Sequence, residues 1–203
     1  MKKGKQTKHN ILREAYSLAS VIGLGGLTIG ALAEQVGMSK SGLYAHFESK
    51  EDLQLQLLGW IDECFIEDVL VPALEQPRGL ARLKTFFTGW VNWHESLKVP
   101  GGCVFLSATT EFDDLEGPIR DSLAKSQQQL IDSVARMVDA AVEEGEMHVS
   151  VDALQLSYEM YSLIVGFNNF RRLLRDESAH HRVMEAFERL LAQSRTPYKE
   201  ERI

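Results

Sequence analysis

The side chains best suited to touching a nucleic acid crowd into one short stretch, residues 28–50. Thr28, Ser39, Lys40, Ser41, Tyr44, His46 and Lys50 all fall there, with Gly42 among them. Lys40, Ser41 and His46 donate or accept at base edges and phosphates, and Tyr44 offers a phenolic hydroxyl to a phosphate. Gly42, lacking a Cβ, lets a backbone approach closely. Lys50 stands where a new helix begins, so its charge adds to the positive helix end at a phosphate. Taken singly, Tyr44 reads equally as a packing residue and His46 as an exposed side chain without a duty.

These residues need a frame, and the apolar spacing around them supplies one. Ile29, Leu32, Ala33 and Val36 recur at i, i+3, i+4 and i+7, one face of a short helix. Thr28 is its expected N-cap and Gly37 its stop. Ser39 caps a second short helix that carries Leu43 and Phe47 inward, with Lys40, Ser41 and His46 placed on it. Two short helices across a tight glycine turn form a helix-turn-helix, which sets its second helix into the major groove of DNA. A longer helix runs before it from about Lys8 to Ile22, and Ser49 with Asp52 opens another after it. Gly30 inside the first short helix is expected to weaken it by about 1 kcal/mol relative to Ala.

Charge agrees with this placement. The chain carries −7 overall, but residues 1–50 sum to +4 and residues 51–203 to −11. A basic head on an acidic body directs the head toward a polyanion. A solvated lysine-rich tail accounts for part of the asymmetry, since four of the seven basic residues fall within the first eight positions.

The stretch Leu27 to Leu53 closely resembles the DNA-binding signature of the TetR family of bacterial transcriptional regulators. The Gly37-Met38-Ser39 turn, Leu43-Tyr44-x-His46-Phe47 and Ser49-Lys50-x-x-Leu53 carry the resemblance. It is dense over about residues 8–55; beyond them only length, helical pattern and order of elements match. The resemblance implies an all-α fold: an N-terminal three-helix DNA-binding domain with a helix-turn-helix, residues 1–50, and a larger helical effector-binding and dimerisation domain, residues 51–203. It further implies a homodimer on a near-palindromic double-stranded DNA operator, regulation that is repressive, and release by a small-molecule effector. Cytoplasmic residence follows from the same reading, with no cofactor, no metal and no membrane partner.

The rest of the chain also reads as helical. Pro72 and Pro77 mark a break, and further helices are expected over about 80–96, 104–111, 119–145, 152–175 and 178–194, with 195–203 polar and frayed. Segment 152–175 is apolar nearly all round its middle, as a helix buried on more than one side requires. Candidate residues for an effector pocket are Trp90, Trp93, His94, Phe105, Glu111, Phe112, Tyr158, Tyr161 and Phe167, since such pockets combine aromatic walls with a few polar groups. For any one of them, packing in the core is the favoured reading. Asn168 and Asn169, set in an apolar stretch, require partners for their amides.

Other chemistries find less support. Cys64 and Cys103 are too few for a disulfide framework or a four-thiolate zinc site. Cys103 in a Gly-Gly-Cys loop near His94 resembles a nucleophile with its base, but no orienting acid accompanies it; a redox-sensing thiol is the other reading. Adjacent His180 and His181 point apart on a helix and make a poor metal pair. Asp113, Asp114 and Glu116 read as a solvated loop. The uncharged run between Glu14 and Glu34 imitates a signal peptide, yet its glycines and one-sided helical period argue against export. The reading that competes with a regulator is an all-helical ligand-binding or enzymatic protein with a vestigial helix-turn-helix.

Overall fold

A computed structural model describes residues 2–96 and 99–195, with side chains over 6–93 and 99–195. Among the described residues every regular element is a helix. They run α1 (Lys2–Ile22), α2 (Ile29–Val36), α3 (Lys40–Tyr44), α4 (Lys50–Phe65), a π-helical turn (Ile66–Leu70), α5 (Val71–Leu74), α6 (Leu80–Ser96), α7 (Val104–Phe112), α8 (Pro118–Glu143), α9 (Ala153–Arg172) and α10 (Ala179–Gln193). No helix among the described residues is long and apolar enough to cross a membrane.

The chain packs as two compact units. The first gathers α1 to α4, α7 and the start of α8 as far as Ser126. Its core is built on Tyr16, Leu24, Leu27, Leu32, Leu43, Phe47, Leu53, Leu57 and Leu58, all but sealed from solvent. Tyr16, Leu32, Leu43, Leu53, Leu57 and Leu58 face inward from α1 to α4, and Leu24, Leu27 and Phe47 fill the core from the turns between those helices. The second holds the π-helical turn, α5, α6 up to Trp93, the rest of α8, α9 and α10. There Phe87 and Phe187 stack with ring centres 3.9 Å apart, beside the buried Phe86, Val91, Met160 and Ile164.

The helix ends follow local side-chain chemistry. Thr28 Oγ1 accepts from the Ala31 N–H, Ser49 Oγ from Asp52, and Asp152 Oδ1 from Leu154 and Gln155. Each supplies an acceptor to a backbone donor that the first turn leaves orphaned. Asp52 Oδ2 reaches back to the Glu48 N–H at 2.9 Å. Hydrogen bonds from the Gln56 side chain, and after them this backbone bond, hold the Asp52 carboxyl below the usual carboxylate range.

Four features depart from the sequence-based expectation. α1 begins at Lys2 rather than near Lys8, because Lys and Gln are good helix formers even without an apolar period. Pro72 does not break the chain: the π-helical turn Ile66–Leu70 leads straight into α5, and Pro72 sits in the first turn of that element. The π-helical turn ahead of it leaves no trace in apolar spacing. His46 lies in the turn after α3, which ends at Tyr44; its N–H donates to the Leu43 carbonyl at 2.8 Å.

Candidate nucleic-acid interface

The α2–turn–α3 motif is assembled by caps at every joint. Gly37 takes φ 66°, ψ 29°, the left-handed conformation that an L-residue with a Cβ adopts at a cost. The Met38 N–H then donates to the Ala33 carbonyl at 3.0 Å, closing the end of α2. Ser39 accepts from the Gly42 N–H at 3.1 Å and so starts α3. Ile29, Leu32 and Ala33 of α2 and Leu43 of α3 turn into the core, leaving the remaining face of α3 to solvent.

That face carries most of the residues singled out for DNA. Ser39, Lys40, Ser41 and Tyr44 are exposed, as are Thr28 and Lys50; Gly42 and His46 are half-buried. Ser39 and Ser41 hydroxyls lie 3.0 Å apart. Tyr44 leaves 56% of its surface in solvent, which sets aside a core role for its ring. A Cβ on Gly42 would meet Ser39 Oγ at 3.2 Å, so the glycine also leaves space for the cap.

A Cβ on Gly30 would stand 3.3 Å from Cε of the exposed Lys40, tight enough that the lysine stem would have to give by a few tenths of an ångström. Lys50 is also tied down: its Nζ donates to the Gly25 carbonyl at 2.6 Å. An ammonium has three donors, and two remain for a phosphate. Lys8 Nζ lies 5.9 Å from the Phe47 ring, joining α1 to the residue that closes the motif.

The effector candidates fall into separate groups. Phe105, buried, belongs to the first unit with Glu111 and Phe112. Trp90, Trp93, Tyr158, Tyr161 and Phe167 belong to the second. There the structure brings Trp90 and Tyr161 together at 6.1 Å and Phe86 and Trp90 at 5.7 Å. Phe167 meets His180 edge-on at 6.4 Å instead. Tyr158 is 65% exposed on α9, and the His94 side chain lies outside the described residues. Glu111 is exposed and its carboxylate accepts from backbone amides of Leu24 and Gly25. Asn168 Oδ1 is buried without a hydrogen-bond partner. A cavity of about 420 Å³ opens elsewhere in the second unit, lined by Ser150, Asp152, Gln155, Glu159, Gln193 and Ser194, and holds none of these candidates.

Cys103 is buried, and burial pushes its thiol up from the ordinary range. A thiol in that state lacks the exposure and the thiolate character on which both reactive readings of this residue depend. No group of three His, Cys, Asp or Glu side chains suited to a metal occurs among the described residues.

Known proteins converge on the same architecture. Residues 11–57 match the family described as bacterial regulatory proteins, tetR family, and residues 79–187 match the tetracyclin repressor-like C-terminal domain. The chain is 28% identical over 121 residues to the nucleoid occlusion factor SlmA of a Marinomonas strain; the match takes in 60% of this chain and 58% of that relative. A TetR-family regulator from Cytophaga hutchinsonii superposes with TM-score 0.81 at 20% identity, over 98% of this chain and 99% of that one. AibR, solved in complex with isovaleryl coenzyme A and operator DNA, superposes with TM-score 0.72 at 16% identity, over 94% and 100% of the two chains. A DNA-binding helix-turn-helix with its caps in place, followed by the family's helical ligand-binding domain, makes this chain a transcriptional regulator of the TetR family.

Proposed function

We propose that the protein is a cytoplasmic repressor that binds a near-palindromic operator as a homodimer and leaves it when a small-molecule effector binds. In this reading residues 1–50 meet DNA and residues 51–203 serve the effector and the dimer. One observation carries it: Lys40, Ser41 and Tyr44 stand exposed on a capped α3 whose opposite face is fixed in the core. Lys40 and Ser41 read base edges; Thr28, Ser39, Tyr44, Lys50 and the backbone at Gly42 hold phosphates, with His46 flanking them.

The homodimer rests on α9. Leu154, Tyr158 and Val165, at i, i+4 and i+11 of one helix face, expose 60%, 65% and 44% of their surfaces. Leu173 and Leu174 extend this apolar surface past the helix end with 74% and 58%. A stripe of this kind marks a protein contact, and a two-fold partner covers it with its own copy of the same stripe. Two heads related by that axis meet two half-sites in inverted orientation.

The experiment is fluorescence anisotropy of a labelled operator duplex across a salt series, with random DNA as competitor. Lys50→Ala is expected to weaken binding to all duplexes alike and to lower the log–log salt slope by about one. A slope equal to that of the wild type would show that Lys50 touches no phosphate. Lys40→Ala or Ser41→Ala is expected to change which sequence is preferred, by about 1–3 kcal/mol at the base concerned. Equal loss on every sequence would remove those two residues from base reading.

A further inference from the structure

Glu111 stands in α7, which belongs by sequence to the stretch matching the C-terminal domain but packs in the same compact unit as α1 to α4. Its carboxylate grips the turn between α1 and α2. Oε2 accepts from the Gly25 N–H at 2.7 Å and Oε1 from the Leu24 N–H at 3.3 Å. Gly23, at φ +78°, curls the chain so that successive N–H groups converge into an anion-binding concavity. The bare backbone also leaves space for the carboxylate. A Cβ on Gly23 would stand 2.6 Å from Oε1, and one on Gly25 would stand 3.1 Å from Oε2.

The same two residues are held by their carbonyls from α4. Gln54 Nε2 donates to the Leu24 carbonyl at 2.6 Å, in a buried setting, and Lys50 Nζ donates to the Gly25 carbonyl at 2.6 Å. A carboxylate on the amides and an ammonium on a carbonyl polarise the turn in one direction, so each bond strengthens the others. Three residues beyond Gly25, Thr28 opens α2, and α2 in turn sets α3 through the Gly37 joint.

We propose that Glu111 is a positioning residue for DNA recognition: it clamps the Leu24–Gly25 turn, fixes where α2 begins, and so sets how α3 is presented. It thereby links α7, part of the C-terminal domain's sequence, to the reading head. This rests on the DNA-reading role of α3 proposed above.

The test compares full-length wild type, Glu111→Gln and Glu111→Asp. Each is measured by anisotropy on a duplex selected from random sequence, over a salt series, and by amide hydrogen exchange without DNA. Gln keeps one acceptor oxygen and turns an NH₂ toward a second donor; Asp keeps the charge but falls a methylene short. Both are expected to lose about tenfold in protection at Leu24 and Gly25 and about fivefold to tenfold in operator affinity, on the scale of a weakened charge-assisted hydrogen bond. The salt slope stays at the wild-type value, since no phosphate contact is removed. Equal affinity in wild type and Glu111→Gln overturns the inference, as does full affinity in Glu111→Asp, which would leave charge alone as the cause. Protection lost throughout the chain together with a lowered thermal midpoint would show a merely structural role and also overturn it. A wild type that binds no duplex brings down the DNA reading itself, a result distinct from all of these.

Discussion

Tyr158→Glu combined with Val165→Glu is expected to turn the protein into a monomer and to lower operator affinity by more than about a hundredfold. Both side chains lie on the exposed apolar face of α9, which the proposed two-fold axis places against its own copy. Covering such a side chain contributes about 1.5–3 kcal/mol. The substitution removes two of them from each subunit and sets four carboxylates against one another, where opposing like charges are disfavoured. Operator affinity depends on the dimer because the second head binds at an effective concentration set by the first. A monomer keeps only half-site binding. Sedimentation or light scattering reads the mass, and anisotropy reads the affinity. A double variant that stays dimeric would place the interface on another face, and a monomer with undiminished affinity would sever the dimer from recognition.

Phe47→Ala is expected to cost about 3–5 kcal/mol of folding free energy, the range for truncating a buried aromatic ring, and to abolish specific DNA binding. Phe47 is 1% exposed at the junction after α3, among Leu32, Leu43 and Leu53, which are fully buried. Its backbone N–H also donates to the Leu43 carbonyl at 3.0 Å, closing the turn. A cavity at this point leaves α3 without the surface it rests on. Domains of this kind have only about 5–15 kcal/mol to lose, so the loss takes a large share of the stability that holds α3 in place. Denaturant titration gives the stability, and the competition assay gives the binding. Wild-type stability in this variant would mean that α3 is held by other contacts.

The head was legible in the sequence because its determinants are local. Thr28, Ser39 and Ser49 cap within three residues of the amides they serve, and Gly37 needs only its own φ. Leu43 and Phe47 repeat at a helical interval and both reach the core even though α3 ends between them. What escaped depends on residues far apart in the chain. The period of α7 gives no sign that Glu111 belongs on a turn 86 residues earlier; aromatic neighbours in sequence suggested a pocket instead. The Lys40 stem lies beside Gly30 across the turn, a neighbour that the apolar spacing of α2 does not reveal. The π-helical turn shifts hydrogen bonding by one residue without altering composition, so apolar spacing does not register it.

The most direct measurement of the central claim is selection of bound duplexes from a random pool by the full-length protein, at physiological salt with excess non-specific DNA. Sequence-specific reading by a symmetric pair of α3 helices predicts enrichment of one motif made of two inverted half-sites, and loss of that enrichment when Lys40 and Ser41 are both changed to alanine. A pool that stays random after repeated rounds, or one enriched equally by the altered protein, would contradict it.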